Sequence, residues 1–158
     1  MKRPLIRLLL ALAVGTAAAV PQPAVAQEVT GWRTARFGMS EAQVRQAILR
    51  EFQVPPSAIT TLDNPAERTR VLSAVLPVLE PGPGPATVSF ILGASSRRLV
   101  HVNIAWQAGA SAAERDRLSA AGILLARNFR ERPWQPQAAV AGVREAPGVL
   151  VLFAGVDA

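Results

Sequence analysis

The apolar positions of this chain change period several times along its length, and each period predicts an element. Val44, Ala47, Ile48 and Phe52 recur at helical spacing, with Arg45, Arg50 and Glu51 elsewhere on the surface. Ser40 ahead of them is an N-cap, Gln43 completes a capping box, and Met39 can pack on Val44 as a staple. Pro55-Pro56 stops the helix, which is expected over 40–52. A second helix opens at Ser111 with Glu114 as its box residue. Leu118, Ala121, Leu125 and Phe129 form its expected buried stripe, and Pro133 limits its end. Gly122 weakens that helix by about 1 kcal/mol relative to Ala and admits a close neighbour.

Between the helices the period falls to two. Val88, Phe90 and Leu92 alternate with Ser89 and Ile91; after the polar loop 93–97, Val100, Val102, Ile104 and Trp106 alternate with His101, Asn103 and Ala105. Two such runs around a short loop predict a β-hairpin. Keeping both apolar sets on one face permits two registers. Phe90 opposite Val100 places Ser89 opposite His101, whereas Phe90 opposite Val102 places Ser89 opposite Asn103. Residues 70–76 predict a third strand and 149–153 a last one. Proline clusters at 55–56, 81–85 and 133–136 separate these elements without being long enough for interdomain linkers. The expected fold class is α+β, an antiparallel sheet of about four strands with two helices packed on one face. Only a few residues follow the last strand. It is therefore expected at a sheet edge, covered in part by the segment 29–37, whose Trp32 and Phe37 help close the core.

The first 26 residues depart from this pattern. A basic start with Lys2, Arg3 and Arg7, an apolar run over 8–20 and an Ala24-x-Ala26 end make the three-part plan of a secretory signal peptide. The run is shorter than the ~20 residues a membrane anchor needs. Cleavage after Ala26 would leave a single α+β domain over 27–158, periplasmic if the cell has an outer membrane. The charge changes with it: 14 basic residues then stand against 11 acidic ones, +3 rather than the +6 of the whole chain. That balance gives no reason to expect a nucleic-acid partner, and no stable membrane insertion is expected after cleavage. The absence of cysteine excludes thiol catalysis, disulfides and a lipobox anchor.

Candidate chemistry is sparse. His101 is the only histidine, and with Ser89 it can form half of a hydrolytic site, but no carboxylate is spaced to orient it. One His, no Cys and scattered carboxylates offer no clustered ligands for zinc or copper. Asp63, Asn64 and Glu67 are too few for calcium and read as an Asx-type turn before Pro65. The prolines of 81–85 remove the N–H groups of a phosphate cradle. Arg97-Arg98, Arg127, Arg130 and Arg132 read first as a solvated face, and as a basic surface for an anionic group second. Trp32, Trp106 and Trp134 read as core or core-edge residues. No catalytic, cofactor-binding or metal-ligating residue is singled out, and no cofactor is expected.

The stretch Arg36-Phe37-Gly38-Met39-Ser40-Glu41-Ala42-Gln43-Val44, with Gly31-Trp32 before it, resembles the Gly-Met-Ser/Thr-x-x-x-Val helix opening of the SmpA/OmlA-type proteins. These are small lipoproteins of the outer-membrane barrel-assembly machinery. The resemblance implies a compact α+β scaffold without catalysis. It covers about a tenth of the chain, which lacks the family's lipobox cysteine and has Gln53-Val54-Pro55 where the family has Gly-x-Pro. Val88-Ser-Phe-Ile-Leu-Gly93 with Arg98-Leu-Val-His-Val-Asn-Ile-Ala-Trp106 is similar to an uncharacterised group of exported proteobacterial proteins, which implies location and fold but no activity. The expected function is that of a non-enzymatic soluble envelope protein binding a protein partner or envelope component. The alternative is a small periplasmic hydrolase using Ser89 and His101.

Overall fold

A computed structural model describes residues 28–107, 109–147 and 149–157. The signal peptide read at 1–26 lies outside the described residues. A short hairpin, β1 (Gly31–Trp32) and β2 (Ala35–Arg36), leads into helix α1 (Glu41–Phe52). The helix starts where its capping pattern places it. Ser40 Oγ accepts the Gln43 N–H, and the Gln43 side chain accepts the Ser40 N–H at 2.9 Å, so orphan donors of the first turn are satisfied. At the other end Gln53 takes a left-handed conformation (φ 52°, ψ 37°), which costs a residue with a Cβ roughly 1 kcal/mol.

A continuous antiparallel meander follows: β3 (Ile59–Asn64), β4 (Thr69–Leu76), β5 (Ala86–Leu92) and β6 (Leu99–Trp106), in that spatial order. Of the two registers the alternation permits, the one realised pairs Phe90 with Val102 and Ser89 with Asn103. An irregularity after Ile91 then brings Leu99 opposite Leu92, and His101 faces Ile91. Val44, Ala47 and Ile48 of α1 share one buried cluster with Leu72, Ala74 and Leu76 of β4, Val88, Phe90 and Leu92 of β5, and Leu99. Trp32 closes this core at one end, its ring centroid 5.9 Å from that of Phe52 and 6.3 Å from that of Phe90. Phe37, expected to help it, is exposed.

The expected α+β class and four-stranded antiparallel sheet are present, but the fourth strand is not the one anticipated. Val149–Val151 (β8) pairs with Val143–Ala146 (β7) in a separate two-stranded hairpin, and β3 takes the remaining place in the sheet. Pairing with the segment just upstream closes a short loop, which costs less chain entropy than reaching the distant sheet edge. A further bridge between Val140 and Ala154 extends the hairpin. The N-terminal segment reaches this end through the Val29 N–H, which donates to the Asp157 carboxylate, and the strand pairing comes from β7.

Helix α2 (Ala112–Arg130) carries the expected Ser111/Glu114 capping box, and these hydrogen bonds from Ser111 hold the Glu114 carboxyl below its ordinary range. Its stripe is less buried than the periodicity suggests. Ala126 alone is buried among its described residues; Leu118, Ala121 and Leu125 are half-buried and Phe129 is exposed. The helix rests on the small C-terminal hairpin, where a Cβ on Gly122 would lie 3.2 Å from Leu152 Cδ1. Trp134 sits between Phe129 (6.3 Å) and Phe153 (5.6 Å). Two short strands present too little surface to bury a helix of 19 residues.

Two polar devices fix the frame. Glu41 in the first turn of α1 accepts from Arg45 at 2.8 Å and from Arg70 of β4 at 3.2 Å, and Arg70 also meets Asp63 of β3 at 2.7 Å. Arg45 reaches on to Thr61 Oγ1 at 2.6 Å. The hydrogen bond from Arg45 first, then that from Arg70, holds the Glu41 carboxyl below its ordinary range against the opposing effect of burial. The second device is the Pro-Gly connection between β4 and β5, which folds beneath Trp106. The indole Nε1 donates to the Leu79 carbonyl at 2.7 Å, and a Cβ built on buried Gly82 would lie 2.1 Å from that nitrogen.

Two stability predictions follow from these devices. Gly82→Ala must displace the Trp106 ring, so it should lower stability by about 1 to 3 kcal/mol, whereas Gly84→Ala, with open space around its Cβ but φ at +90°, meets no such clash and acts on backbone strain alone. Urea unfolding of the two variants separates these effects. Because the folded Glu41 carboxyl is depressed, its stabilisation is full above the unfolded glutamate pKa and is lost as pH falls through the folded value. Glu41→Gln should therefore flatten the fall in stability between about pH 5 and pH 3 relative to the parent chain.

Candidate functional site: the uncovered face of the sheet

Strand alternation gives the meander two faces. One joins α1 in the core. The other carries three cross-strand rows defined by the register. The first is hydroxylic and amidic: Thr60, Ser73, Ser89 and Asn103. The second is apolar: Leu62, Val71 and Ile91, ending on His101 at the β6 edge. The third is Val75, Thr87 and Ala105. Leu62 and Val75 are 64% and 66% exposed, so no described element covers this face. Apart from His101 it holds no ionisable side chain.

The register decides what Ser89 can do. Its hydroxyl lies 2.9 Å from the Ser73 hydroxyl, across the β4–β5 pair, and Asn103 stands opposite on β6. His101 is one row away, a diagonal neighbour on the order of 7 Å distant at the Cα positions. No hydrogen bond joins Ser89 to His101 among the described residues. A base must be within hydrogen-bond reach of the proton it removes, and here the partner of the serine is another neutral hydroxyl. What this surface offers is alternating apolar and hydroxyl rows without acids, arginine or lysine, roughly 15 Å across the strands and about 20 Å along them.

The other residues read from the sequence are dispersed. Asn64 Oδ1 accepts the Glu67 N–H in the β3–β4 turn, an Asx-type turn, while Asp63 is held by Arg70. Among the described residues no three of His, Asp and Glu come together in a group able to hold a metal ion. Arg98 donates to the Gly38 carbonyl (3.1 Å), Arg130 to the Leu152 carbonyl (3.0 Å), and Arg132 stacks on Phe129 at 5.6 Å. The three tryptophans lie at the core edge, between Phe129 and Phe153, and over the Pro-Gly connection, as described above.

Sequence reasoning missed the apolar row because it missed β3. A signal was present: Ile59-Thr60-Thr61-Leu62 is a run of β-branched and apolar residues between Pro55-Pro56 and the Asn64-Pro65 turn. With β3 in place, Val71 and Val75 of β4, apolar on the face opposite Leu72 and Ala74, become part of a continuous surface. Elsewhere there are open grooves of about 380 Å³ beside Met39, Gln43 and Arg50 and about 360 Å³ between α2 and β8. No family model, no curated protein and no solved structure matches this chain.

Proposed function

We propose that this is an exported, non-enzymatic envelope protein of the periplasm that binds a protein partner through the uncovered face of its sheet. The observation that carries the reading is the apolar row of exposed Leu62 and half-buried Val71 and Ile91, with exposed Val75 on the far side of the hydroxyl row. The solvated face of an antiparallel sheet is ordinarily polar. Keeping Leu62 and Val75 in water instead of burying them costs roughly 1 to 2 kcal/mol each. The hydroxyls of Ser73 and Ser89 share one hydrogen bond, so a partner that covers the pair has one O–H left to accept from. The face, about 15 by 20 Å, is smaller than the roughly 800 Å² per partner of a standard specific interface, which fits a weak and exchangeable contact.

The exported location is supported by the three-part N-terminus, and no described helix is long and apolar enough to cross a membrane. A scaffold role is also what the SmpA/OmlA-like helix opening implies. The test is residue-specific photo-cross-linking in cells. A photoreactive side chain at Asn103 or Thr87 should capture one defined envelope protein, and Leu62→Asp should reduce that product at least tenfold while leaving the thermal midpoint within a few degrees. The same probe at exposed Gln46 on α1 is the control. Equal products from Asn103 and Gln46, or hydrolytic activity that His101→Ala removes in a folded chain, would overturn the reading.

A further inference from the structure

The outer face of α2 carries a self-complementary arrangement of apolar and charged residues. Its inner face, with Gly122, Leu125, Ala126 and Phe129, meets β8 and the residues after it. On the opposite side Asp116, Ala120, Ile123, Leu124 and Arg127 recur at i, i+4, i+7, i+8 and i+11, which places them along one stripe. All five are exposed; Ile123 and Leu124 are 62% and 50% accessible. A helix apolar on two opposite sides is ordinarily buried, and among the described residues this one is covered on one side only.

The charges of the stripe indicate what covers it. Two copies of α2 crossing antiparallel about a twofold axis between residues 121 and 122 bring Ile123 of each against Ala120 of the other. The same axis sets Asp116 of each opposite Arg127 of the other, two identical ion pairs flanking an apolar centre. A twofold interface has to be complementary to itself, and this spacing of opposite charges meets that condition without any adjustment of register. Asp116 makes no ion pair among the described residues, and Arg127 holds only a water-exposed contact with Glu131 at 3.4 Å. Such a contact is worth little and can be exchanged. We infer that the chain self-associates through α2 as an antiparallel, twofold-symmetric pair, with Asp116 and Arg127 setting register and direction. The inference is independent of the sheet face and its partner.

Sedimentation equilibrium of the mature chain tests it. The parent chain should rise toward twice its monomer mass with concentration, and Ile123→Glu, at an exposed site, should remain monomeric with an unchanged circular dichroism spectrum. The charges give a sharper test. Asp116→Arg and Arg127→Glu each place like charges opposite one another, so each variant alone should be monomeric at concentrations where the parent is dimeric. Mixed together, they form a complementary heterodimer, and the double variant Asp116→Arg/Arg127→Glu dimerises with itself. A parent chain that stays monomeric throughout, or single variants that dimerise alone as well as they do when mixed, would overturn the inference. So would a monomeric chain that co-sediments with phosphatidylglycerol vesicles, more strongly after Asp116→Arg; that result would assign the face to an anionic lipid surface.

Discussion

The structure depends on one helix lying over one face of the meander. Val44 and Ile48 of α1 enter the same cluster as Leu72, Val88 and Phe90, and none of the buried residues described is polar. Hydrophobic burial has no direction, so the position of α1 is set by what surrounds this contact. Ser40 fixes where the helix begins, and Glu41 in the next position ties that first turn to Arg70, which in turn holds Asp63. Exposed ion pairs contribute little stability singly. Linked through Glu41 and Arg70, they act on orientation, joining the helix start to both strands of the β3–β4 hairpin.

The main helix and the central hairpin were legible because each has a local cause. A cap, a box residue and a proline stop bound α1, and period-two alternation identifies β5 and β6. Their mutual register was readable only down to two choices, since both keep Phe90 and its apolar partners on one face. Selection between them depends on the bend at Leu92–Leu99 and on Met39, whose carbonyl accepts the Leu99 N–H at 2.8 Å. That is a contact between residues sixty apart, invisible to any local pattern. β3 was missed for a related reason: Asp63 and Asn64 are turn formers that also finish a strand, and their turn chemistry masked the Ile-Thr-Thr-Leu run before them. The last strand was legible as a strand, but its partner was not. Strand propensity describes a fit to a pleated surface and does not say which surface.

Arginine content was a poor guide to function for a physical reason that the structure supplies. Arg45 and Arg70 orient α1, Arg98 donates to the turn before it, Arg130 ties α2 to the C-terminal hairpin, and Arg33 both pairs with Glu51 at 3.0 Å and lies over Trp32 at 5.1 Å. A guanidinium has several donors in a fixed fork and a face that stacks on rings. It can therefore join elements in a small fold that has neither disulfides nor lysines after the N-terminus. These roles account for five of the 14 arginines that follow residue 26.

The two uncovered surfaces differ in the property that selects a partner. The sheet face is neutral, and its rows of hydroxyl and apolar groups repeat from strand to strand with no charge to fix one alignment over another. Such a surface takes its specificity from the shape and edges of whatever lies on it. The stripe on α2 has the reverse character: a short apolar centre of Ala120, Ile123 and Leu124 between charges of opposite sign. Charges at an interface contribute more to orientation and to exclusion of wrong partners than to affinity. A surface whose charges complement their own image under a twofold rotation rejects most other surfaces, while a sheet face without acids or arginines admits a range of them. On the two proposed readings the sheet face would take a foreign partner and the α2 stripe a second copy; the two lie apart because α2 packs on the C-terminal hairpin and no described element covers the open side of the sheet.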